Sequence, residues 1–216
     1  MSFGNKIMND KGYPTLENAE KIWREGFDYR CATTEFKVRD EYVFHTAGVA
    51  ATAQKIAAHT PDMNPEKAYI LGLLHDYGKK YDERASGRFH ARAGFEELNA
   101  MGYPAAAKIC LTHSFPSRDF CDEDYASYPA DWLEWAHREL AKVTYDDYDR
   151  LIQLCDMFFE GMQMVDFETR FSGIVRRYNL KPEDVENLRK NAERNLAYFE
   201  AKIGVGIYQL LNIKTL

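Results

Sequence analysis

The amino-acid sequence predicts a nearly all-α fold. Apolar residues recur at intervals of three and four along most of the chain, which is the spacing of one helix face. Helix-initiating residues precede some of these stretches: in Asn64-Pro65-Glu66, Asn64 suits the cap and Pro65 suits the first helical position. The alternation of apolar and polar residues that marks a half-buried strand is absent. We therefore expect a packed bundle of helices.

Three helices are predicted in the first third of the chain. Thr15 can cap the first helix, in which Trp23 belongs to the apolar stripe. The second helix spans Arg39 to His59, and its many small residues would let a neighbouring helix approach closely. The third helix starts at Pro65 and is predicted to end near Gly78, because glycine favours the turn that follows a helix.

The rest of the chain continues this pattern. Further helices are predicted at residues 89–101, 105–113, 132–140, 151–159, 167–178 and 182–203. Residues 114–129 lack clear periodicity, and the length of this segment favours a functional loop or lid. The apolar stripe of the last long helix indicates packing rather than chemistry. We interpret residues 1–216 as one domain with a C-terminal helical extension over about 165–216.

Composition limits the classes of partner. A net charge of -6 and a pI near 5.6 argue against a general nucleic-acid or membrane-surface binder, which usually carries a basic face. No segment approaches about 18 consecutive apolar residues, the length of a membrane-spanning helix. The cysteines at 31, 110, 121 and 155 form no C-x-x-C pair, which favours reduced thiols in a cytoplasmic protein. The apolar tail at 204–216 is expected to dock on the core or on the second subunit of a homodimer.

The stretch from Tyr69 to Lys80 carries the main functional signal. Its apolar run ends abruptly in His75 and Asp76. Burying an imidazole beside a carboxylate costs several kcal/mol unless something compensates both groups. A divalent cation would accept the neutral nitrogen and the anionic oxygen together. For an isolated His-Asp dipeptide, the alternative is a structural hydrogen-bonded pair.

Three other polar residues interrupt apolar runs in the same way. His45 follows Tyr-Val-Phe, His113 follows Ile-Cys-Leu-Thr, and Asp156 follows Leu-Ile-Gln-Leu-Cys. Each is a metal-ligand residue type in an apolar segment, where a polar group is expensive without a partner. A shared ion would offset several of these costs at once.

Taken in order, His45, the His75-Asp76 pair in Gly-Leu-Leu-His-Asp-Tyr-Gly-Lys, and Asp156 resemble the H…HD…D signature of the HD-domain metal-dependent phosphohydrolase superfamily. The resemblance covers about residues 39–156. It implies an all-α, HD-domain helical bundle with additional C-terminal helices. It also implies that these four residues bind one metal ion.

The resemblance further implies a second metal ion and a catalytic lysine. Two-metal members of the superfamily have two histidines between the HD pair and the final aspartate, the interval that holds His90 and His113. Asp76 would then bridge the two ions, which together can activate a water for attack on phosphorus. Lys79 matches a lysine that follows the HD pair in many members and would neutralise a phosphate oxygen. The predicted catalytic residues are therefore Asp76 and Lys79, and the cofactor is one or two divalent ions among Fe, Mn, Mg, Zn, Ni and Co.

The implied activity is hydrolysis of a phosphomonoester or phosphoanhydride in a small, nucleotide-like molecule. The aromatic residues Phe115, Phe120 and Tyr125 would flank a base or sugar if the segment that contains them covers a nucleotide. Lys80 is expected in solvent. The further candidates for phosphate contacts are Arg39, Arg88, Arg92 and Arg118.

Two other functions are compatible with the same residues. Some HD-fold proteins with a similar set of six ligands are di-iron oxygenases that act on a small organic substrate. A non-enzymatic ligand-binding domain, in which the ion only stabilises the helices, is the third interpretation, because a fold does not determine a function.

Overall fold

Helices dominate the structure, a computed structural model that describes residues 12–33, 36–81, 83–118, 120, 122–125, 128–180 and 185–214. The helices are α1 (Leu16–Thr33), α2 (Phe36–Ala57), α3 (Pro65–Leu74), α4 (Glu83–Ser86), α5 (His90–Ala100), α6 (Pro104–Thr112), α7 (Ala130–Leu140), α8 (Asp147–Asp156), α9 (Phe167–Tyr178), α10 (Glu186–Ile203) and α11 (Ile207–Leu211). Two 3-10 turns lie at Tyr77–Lys80 and Asp122–Tyr125. The all-α prediction is confirmed.

A two-stranded hairpin interrupts the helices after α8. Its strands, β1 (Phe159–Glu160) and β2 (Gln163–Met164), pair antiparallel, with Phe159 opposite Met164. The sequence analysis placed residues up to 159 in one helix, whereas α8 ends at Asp156. Gly161 has a φ of +56°, which favours glycine at this tight turn.

Helices α2 and α3 approach each other closely because small residues line their contact. A Cβ atom at Gly72 would lie 2.8 Å from the Cα of Ala50. Ala50 and Ala53 are fully buried in this contact region of α2. The small side chains that the sequence showed in α2 therefore allow the packing that places His45 next to the end of α3.

The end of α3 differs from the prediction. The amide oxygen of Asn64 accepts hydrogen bonds from the N–H groups of Glu66 and Lys67, as a cap should. However, the α-helix ends at Leu74, four residues before Gly78, and Gly78 does not have a positive φ. It lacks a side chain for a different reason: a Cβ there would lie 1.9 Å from the carbonyl oxygen of His90. Gly78 therefore permits the close approach of α5 rather than stopping α3.

An aromatic cluster supports α5 and α7. The ring of Phe89 stacks on Trp132, with 4.7 Å between centroids, and packs edge-on against Phe115. Phe115 has no exposed surface. The proposal that Phe115 flanks a substrate is therefore wrong, because its ring is part of the core.

The C-terminal helices pack on the same core. Phe199 of α10 and Ile207 of α11 are fully buried, and Leu211 is nearly so. Asp147, at the start of α8, binds the hydroxyl of Tyr198 and the ammonium of Lys202 on α10. The predicted helix start at residues 182–184 lies outside the described residues. Within the described part of the chain, no helix combines the length and hydrophobicity needed to cross a bilayer.

Candidate metal centre

Six predicted ligands come together at one end of the bundle, from five different elements. His45 lies on α2, His75 and Asp76 follow α3, His90 is the first residue of α5, His113 follows α6, and Asp156 is the last residue of α8. His75, Asp76 and His90 are buried, and the side chain of His45 keeps 15% of its surface exposed. The Asp76 carboxylate lies at the centre of the group.

The first side of Asp76 faces two histidines. The Nε2 atoms of His45 and His75 are 3.2 Å apart, and each lies 3.4 Å from Oδ2 of Asp76. Ligand atoms held by one ion at about 2.1 Å lie about 3.0–3.4 Å from each other in tetrahedral or octahedral geometry. These three side chains are therefore spaced as the ligands of one ion would be.

The second side of Asp76 faces the other two histidines. Nε2 of His113 lies 3.1 Å from Oδ1 of Asp76, and Nε2 of His90 lies 3.9 Å from the same oxygen. The hydroxyl of Ser114 lies between these rings, 3.1 Å from His90 Nε2 and 3.2 Å from His113 Nε2. Asp76 thus belongs to two groups of three residues, each of which could hold a metal ion.

Three of the four imidazoles are oriented by an acceptor at Nδ1. Nδ1 of His75 lies 2.6 Å from the carbonyl oxygen of Gly72, and Nδ1 of His113 lies 2.9 Å from that of Ile109. Nδ1 of His90 contacts the carboxylate of Glu83. An acceptor at Nδ1 keeps the proton there and leaves the Nε2 lone pair facing Asp76. This is the arrangement in which histidine binds a metal.

The donor set fits a divalent cation. Oδ2 of Asp76 is buried, and it lies 2.7 Å from Lys79 Nζ and 3.4 Å from two imidazole nitrogens. A buried carboxylate is costly unless positive charge lies close to it. Imidazole nitrogens together with carboxylate oxygens suit first-row cations such as Fe, Mn, Zn, Ni or Co. The residues present therefore match the group that the sequence predicted.

Asp156 reaches the centre through His45. Its Oδ1 lies 2.9 Å from Nε2 of His45, and Arg170 approaches the same oxygen at 3.6 Å. Burial raises the pKa of Asp156, but the contacts with His45 and Arg170 outweigh burial and hold the pKa well below its usual range. The carboxylate is thus ionised and available to a cation.

The electrostatics of the centre favour a neutral His45 and a neutral His113 beside ionised carboxylates. Burial lowers the pKa of His45 and of His113, against the opposing effects of Asp156 and Asp76. Although burial opposes ionisation of Asp76, Lys79 and His75 hold its pKa well below the usual range. For His75 burial also opposes the charge, but Asp76 raises its pKa. Among the described residues, the cation beside Asp76 is Lys79, and His75 adds positive charge.

A cavity of about 700 Å³ opens above the centre. Its described lining includes six Lys or Arg residues and three Asp or Glu residues, although the whole chain has a net charge of -6. Phe120, Tyr125 and Tyr128 lie on its wall. Small-molecule binding sites typically have volumes of about 300–1,000 Å³, so this cavity is large enough for such a ligand. The excess of cationic groups favours an anionic ligand.

The sequence analysis missed three features at the centre or in its cavity. Glu83 lies on the four-residue helix α4, between two of the predicted helices, and its carboxylate accepts hydrogen bonds from N and Nδ1 of His90. Arg170 on α9 joins Asp156 to Glu160 of the hairpin. Helix α10, which was assigned to packing, contributes Asn191 and Arg194 to the cavity. The polar face of α10 was visible in the sequence, but its position beside the centre was not.

The other predicted candidates lie away from the centre. Lys80 is buried, with Nζ 2.5 Å from Glu97 and 2.8 Å from the hydroxyl of Tyr77, so its assignment to solvent is wrong. Arg88 pairs with Glu97 and Arg92 pairs with Glu96. Arg118 is exposed and approaches the carbonyl oxygen of Val143. The side chain of Arg39 and residue Cys121 lie outside the described part of the structure.

Comparison with known proteins identifies the family. The HD domain family model matches residues 42–159, more than half of the 216 residues, and the matched segment begins just before His45 and ends just after Asp156. No curated protein and no solved structure matches the chain significantly. On the evidence of this match, the chain belongs to the HD domain family.

Proposed function

We propose that this protein is a metal-dependent phosphohydrolase that cleaves a phosphomonoester or phosphoanhydride in a small, nucleotide-like molecule. HD domains are usually hydrolases, which supports the reaction class. The observation that carries the proposal is the shared carboxylate: Asp76 joins two groups of potential ligands at the base of a cavity with a cationic lining.

The proposed ligands are His45, His75, Asp76 and Asp156 for one ion, and Asp76, His90 and His113 for a second. When bound, divalent ions supply Lewis-acid polarisation of phosphoryl oxygens and activation of a water. The protein supplies the geometry, because the Nδ1 contacts of His75, His90 and His113 keep each ring turned toward Asp76.

Lys79 is the proposed catalytic cation. Its side chain lines the cavity and keeps 42% of its surface exposed, so that it can reach a ligand while it contacts Asp76. Desolvation lowers the pKa of Lys79, but the negative charge of Asp76 outweighs desolvation and raises the pKa. The ammonium therefore stays charged at neutral pH. An ammonium at this position would bind a phosphoryl oxygen and stabilise the charge that develops during transfer.

The nucleotide-like character of the substrate rests on the cavity wall. Phe120 and Tyr125 contact each other, with 5.0 Å between ring centroids, and Tyr128 lies 5.7 Å from Tyr125. Aromatic faces beside cationic groups suit a molecule with a planar apolar part and a phosphate. The volume of about 700 Å³ is sufficient for a mononucleotide.

The test measures metal content and hydrolysis in the same preparations. Elemental analysis of the purified protein is expected to show more than one divalent ion per chain. Release of phosphate from a panel of nucleotides and sugar phosphates is expected to depend on added Mn²⁺ or Fe²⁺ and to stop with EDTA. Oxygen uptake is measured in parallel, because the same ligands suit iron and a hydrolase consumes no oxygen.

Asp76→Asn is the decisive variant. Loss of the shared carboxylate charge should remove both ions and reduce phosphate release by at least about 10³-fold. Asp131→Asn, on the exposed face of α7, is the matched control and should behave as the wild type. A protein that binds metal but releases no phosphate from the panel, or whose turnover requires oxygen, would refute the proposal.

A further inference from the structure

A second group of cationic residues lines the same cavity as the metal centre. Arg170 and Arg177 are contributed by α9, and Arg194 is contributed by α10. Neither helix lies within the residues that the family model matches, which end at 159. The family match therefore gives no reason for these arginines to be there.

Glu160 of the hairpin holds the two arginines of α9. Its Oε2 accepts from Nη1 of Arg170 at 2.9 Å and from Nη2 of Arg177 at 2.8 Å. Gly173 makes this contact sterically feasible, because a Cβ at that position would lie 2.3 Å from the Glu160 carboxylate. One carboxylate thus fixes both guanidinium groups along one edge of the cavity.

Arg170 and Arg177 differ in how much of their charge is compensated. Arg170 also approaches Asp156 at 3.6 Å and keeps 13% of its side chain exposed, so that it faces two carboxylates. Arg177 keeps 42% exposed, and Glu160 is its carboxylate partner among the described residues. A guanidinium has five N–H donors. Arg177 therefore retains donors for a ligand in the cavity.

Arg194 is held on the neighbouring helix by a chain of carboxamides. Its Nη2 donates to Oδ1 of Asn191 at 2.5 Å. Nδ2 of Asn191 lies 3.4 Å from Oε1 of Gln153, whose own Nε2 donates to the carbonyl oxygen of Thr112. Gln153 is one turn before Asp156 on α8. This series of hydrogen bonds fixes α10, and with it Arg194, relative to the metal centre.

We propose that Arg177 and Arg194 form an anion subsite, and that the substrate carries a second anionic group, a phosphate or a carboxylate, remote from the phosphate that is cleaved. The proposal rests on the proposed function for the position of the first phosphate. Planar guanidinium groups bind phosphate and carboxylate through paired N–H donors. Arg170 contacts both Asp156 and Glu160, the carboxylate that also holds Arg177, so one guanidinium and one carboxylate join the subsite to the metal centre.

The experiment compares ligands that differ by one anionic group. Calorimetric titration of the full chain with Mn²⁺ bound gives the Kd of AMP and of adenosine 3′,5′-bisphosphate. Ribose 5-phosphate and ribose 1,5-bisphosphate provide a second pair without a base. In the wild type the bisphosphate of at least one pair should bind about tenfold more tightly than its monophosphate, a difference of about 1.4 kcal/mol. Phosphorus NMR of each sample afterwards reports hydrolysis.

Arg177→Gln and Arg194→Gln should each reduce the ratio of the monophosphate Kd to the bisphosphate Kd toward one, with little change in the Kd of the monophosphate. Arg176→Gln is the matched control, because Arg176 is exposed, adjacent on α9 and outside the cavity lining. Circular dichroism checks that each variant is folded. A ratio near one in the wild type for both pairs, or a ratio that neither cavity variant changes, would overturn the subsite.

The outcome separates this proposal from the proposed function. Hydrolysis of the monophosphate with a ratio near one supports the phosphohydrolase and refutes the subsite. A ratio of about ten that falls in Arg177→Gln, without hydrolysis of these ligands or of the phosphate panel, refutes the phosphohydrolase and supports the subsite. If only the adenosine pair shows the preference, the substrate is nucleotide-like. If the ribose pair shows it as well, the two anionic groups alone are recognised.

Discussion

Nζ of Lys79 lies 2.7 Å from Oδ2 of Asp76, the oxygen that also lies 3.4 Å from two imidazole nitrogens. The ammonium therefore lies beside the position where an ion would bind the shared carboxylate. Removal of the lysine should change the charge at the reacting phosphate without removing a metal ligand. This separation of roles makes Lys79 the most informative residue for mutation.

Lys79→Gln is expected to keep its metal ions and to reduce kcat/KM by about tenfold to a thousandfold, because one cationic contact to the transferred group is lost. Elemental analysis and steady-state kinetics on one preparation measure both quantities. Lys55→Gln, an exposed position on α2, is the control. Loss of metal from Lys79→Gln, or full activity, would show that the lysine has a different role.

Glu83→Gln should weaken the second ion selectively. The Glu83 carboxylate contacts both N and Nδ1 of His90, so it caps α5 and fixes the ring at the same time. Loss of a carboxylate that orients a metal-binding histidine typically costs 10–100-fold in metal affinity. Metal titration should show that one ion binds about 10–100-fold more weakly while the other is unchanged.

The control for Glu83→Gln is Glu96→Gln. Glu96 is an exposed residue of α5 that pairs with Arg92 on the same helix. If Glu83→Gln binds two ions as tightly as the wild type, its carboxylate does not orient His90 as a ligand. If both ions weaken equally, the two groups around Asp76 are not separate sites.

Gly78→Ala should destabilise the fold. The added Cβ would lie 1.9 Å from the carbonyl oxygen of His90, a backbone atom that no rotamer change can move. Overpacking of this kind costs about 1–3 kcal/mol, and urea unfolding measures it. Gly206→Ala is the control, since its nearest atom would be 3.7 Å away and its φ is -66°. Equal unfolding free energies for the two variants would contradict the close approach of α5.

The contacts that attach α10 to Asp147 should weaken at acidic pH. Burial opposes ionisation of Asp147, but its bonds to Lys202 and Tyr198 lower its pKa from the ordinary value of 3.8. A lowered pKa in the folded state means that the stabilisation is complete above 3.8 and is lost as the pH falls through the lower value. Asp147→Asn should therefore be destabilised by about 0.5–1 kcal/mol at pH 7.

The difference between Asp147→Asn and the wild type should shrink toward zero in the acidic range below 3.8. Urea unfolding across that range provides the measurement, provided that both proteins remain folded. Asp131→Asn, an exposed substitution on α7, should show no such trend. A difference that stays constant with pH would assign the contribution of Asp147 to packing rather than to charge.

The sequence by itself determined the helical fold and the chemical character of its centre. The cap at Asn64 and the start of α3 at Pro65 depend on contacts within three residues, which a sequence pattern contains. His75 and Asp76 could be singled out because a polar pair at the end of an apolar run needs compensation. These inferences rest on local geometry and on the cost of burial.

Only the tertiary structure decided which other polar residues lie at the centre or in its cavity, and which are buried elsewhere. Glu83 reaches His90 from a four-residue helix too short to show periodicity, and Arg194 lies on the polar face of a helix whose apolar face packs on the core. Lys80 is buried by Glu97, 17 residues away. The physical reason is common to all three: a charged side chain on one helix has the same local sequence whether solvent or another helix covers it, and the packing of distant segments makes that difference.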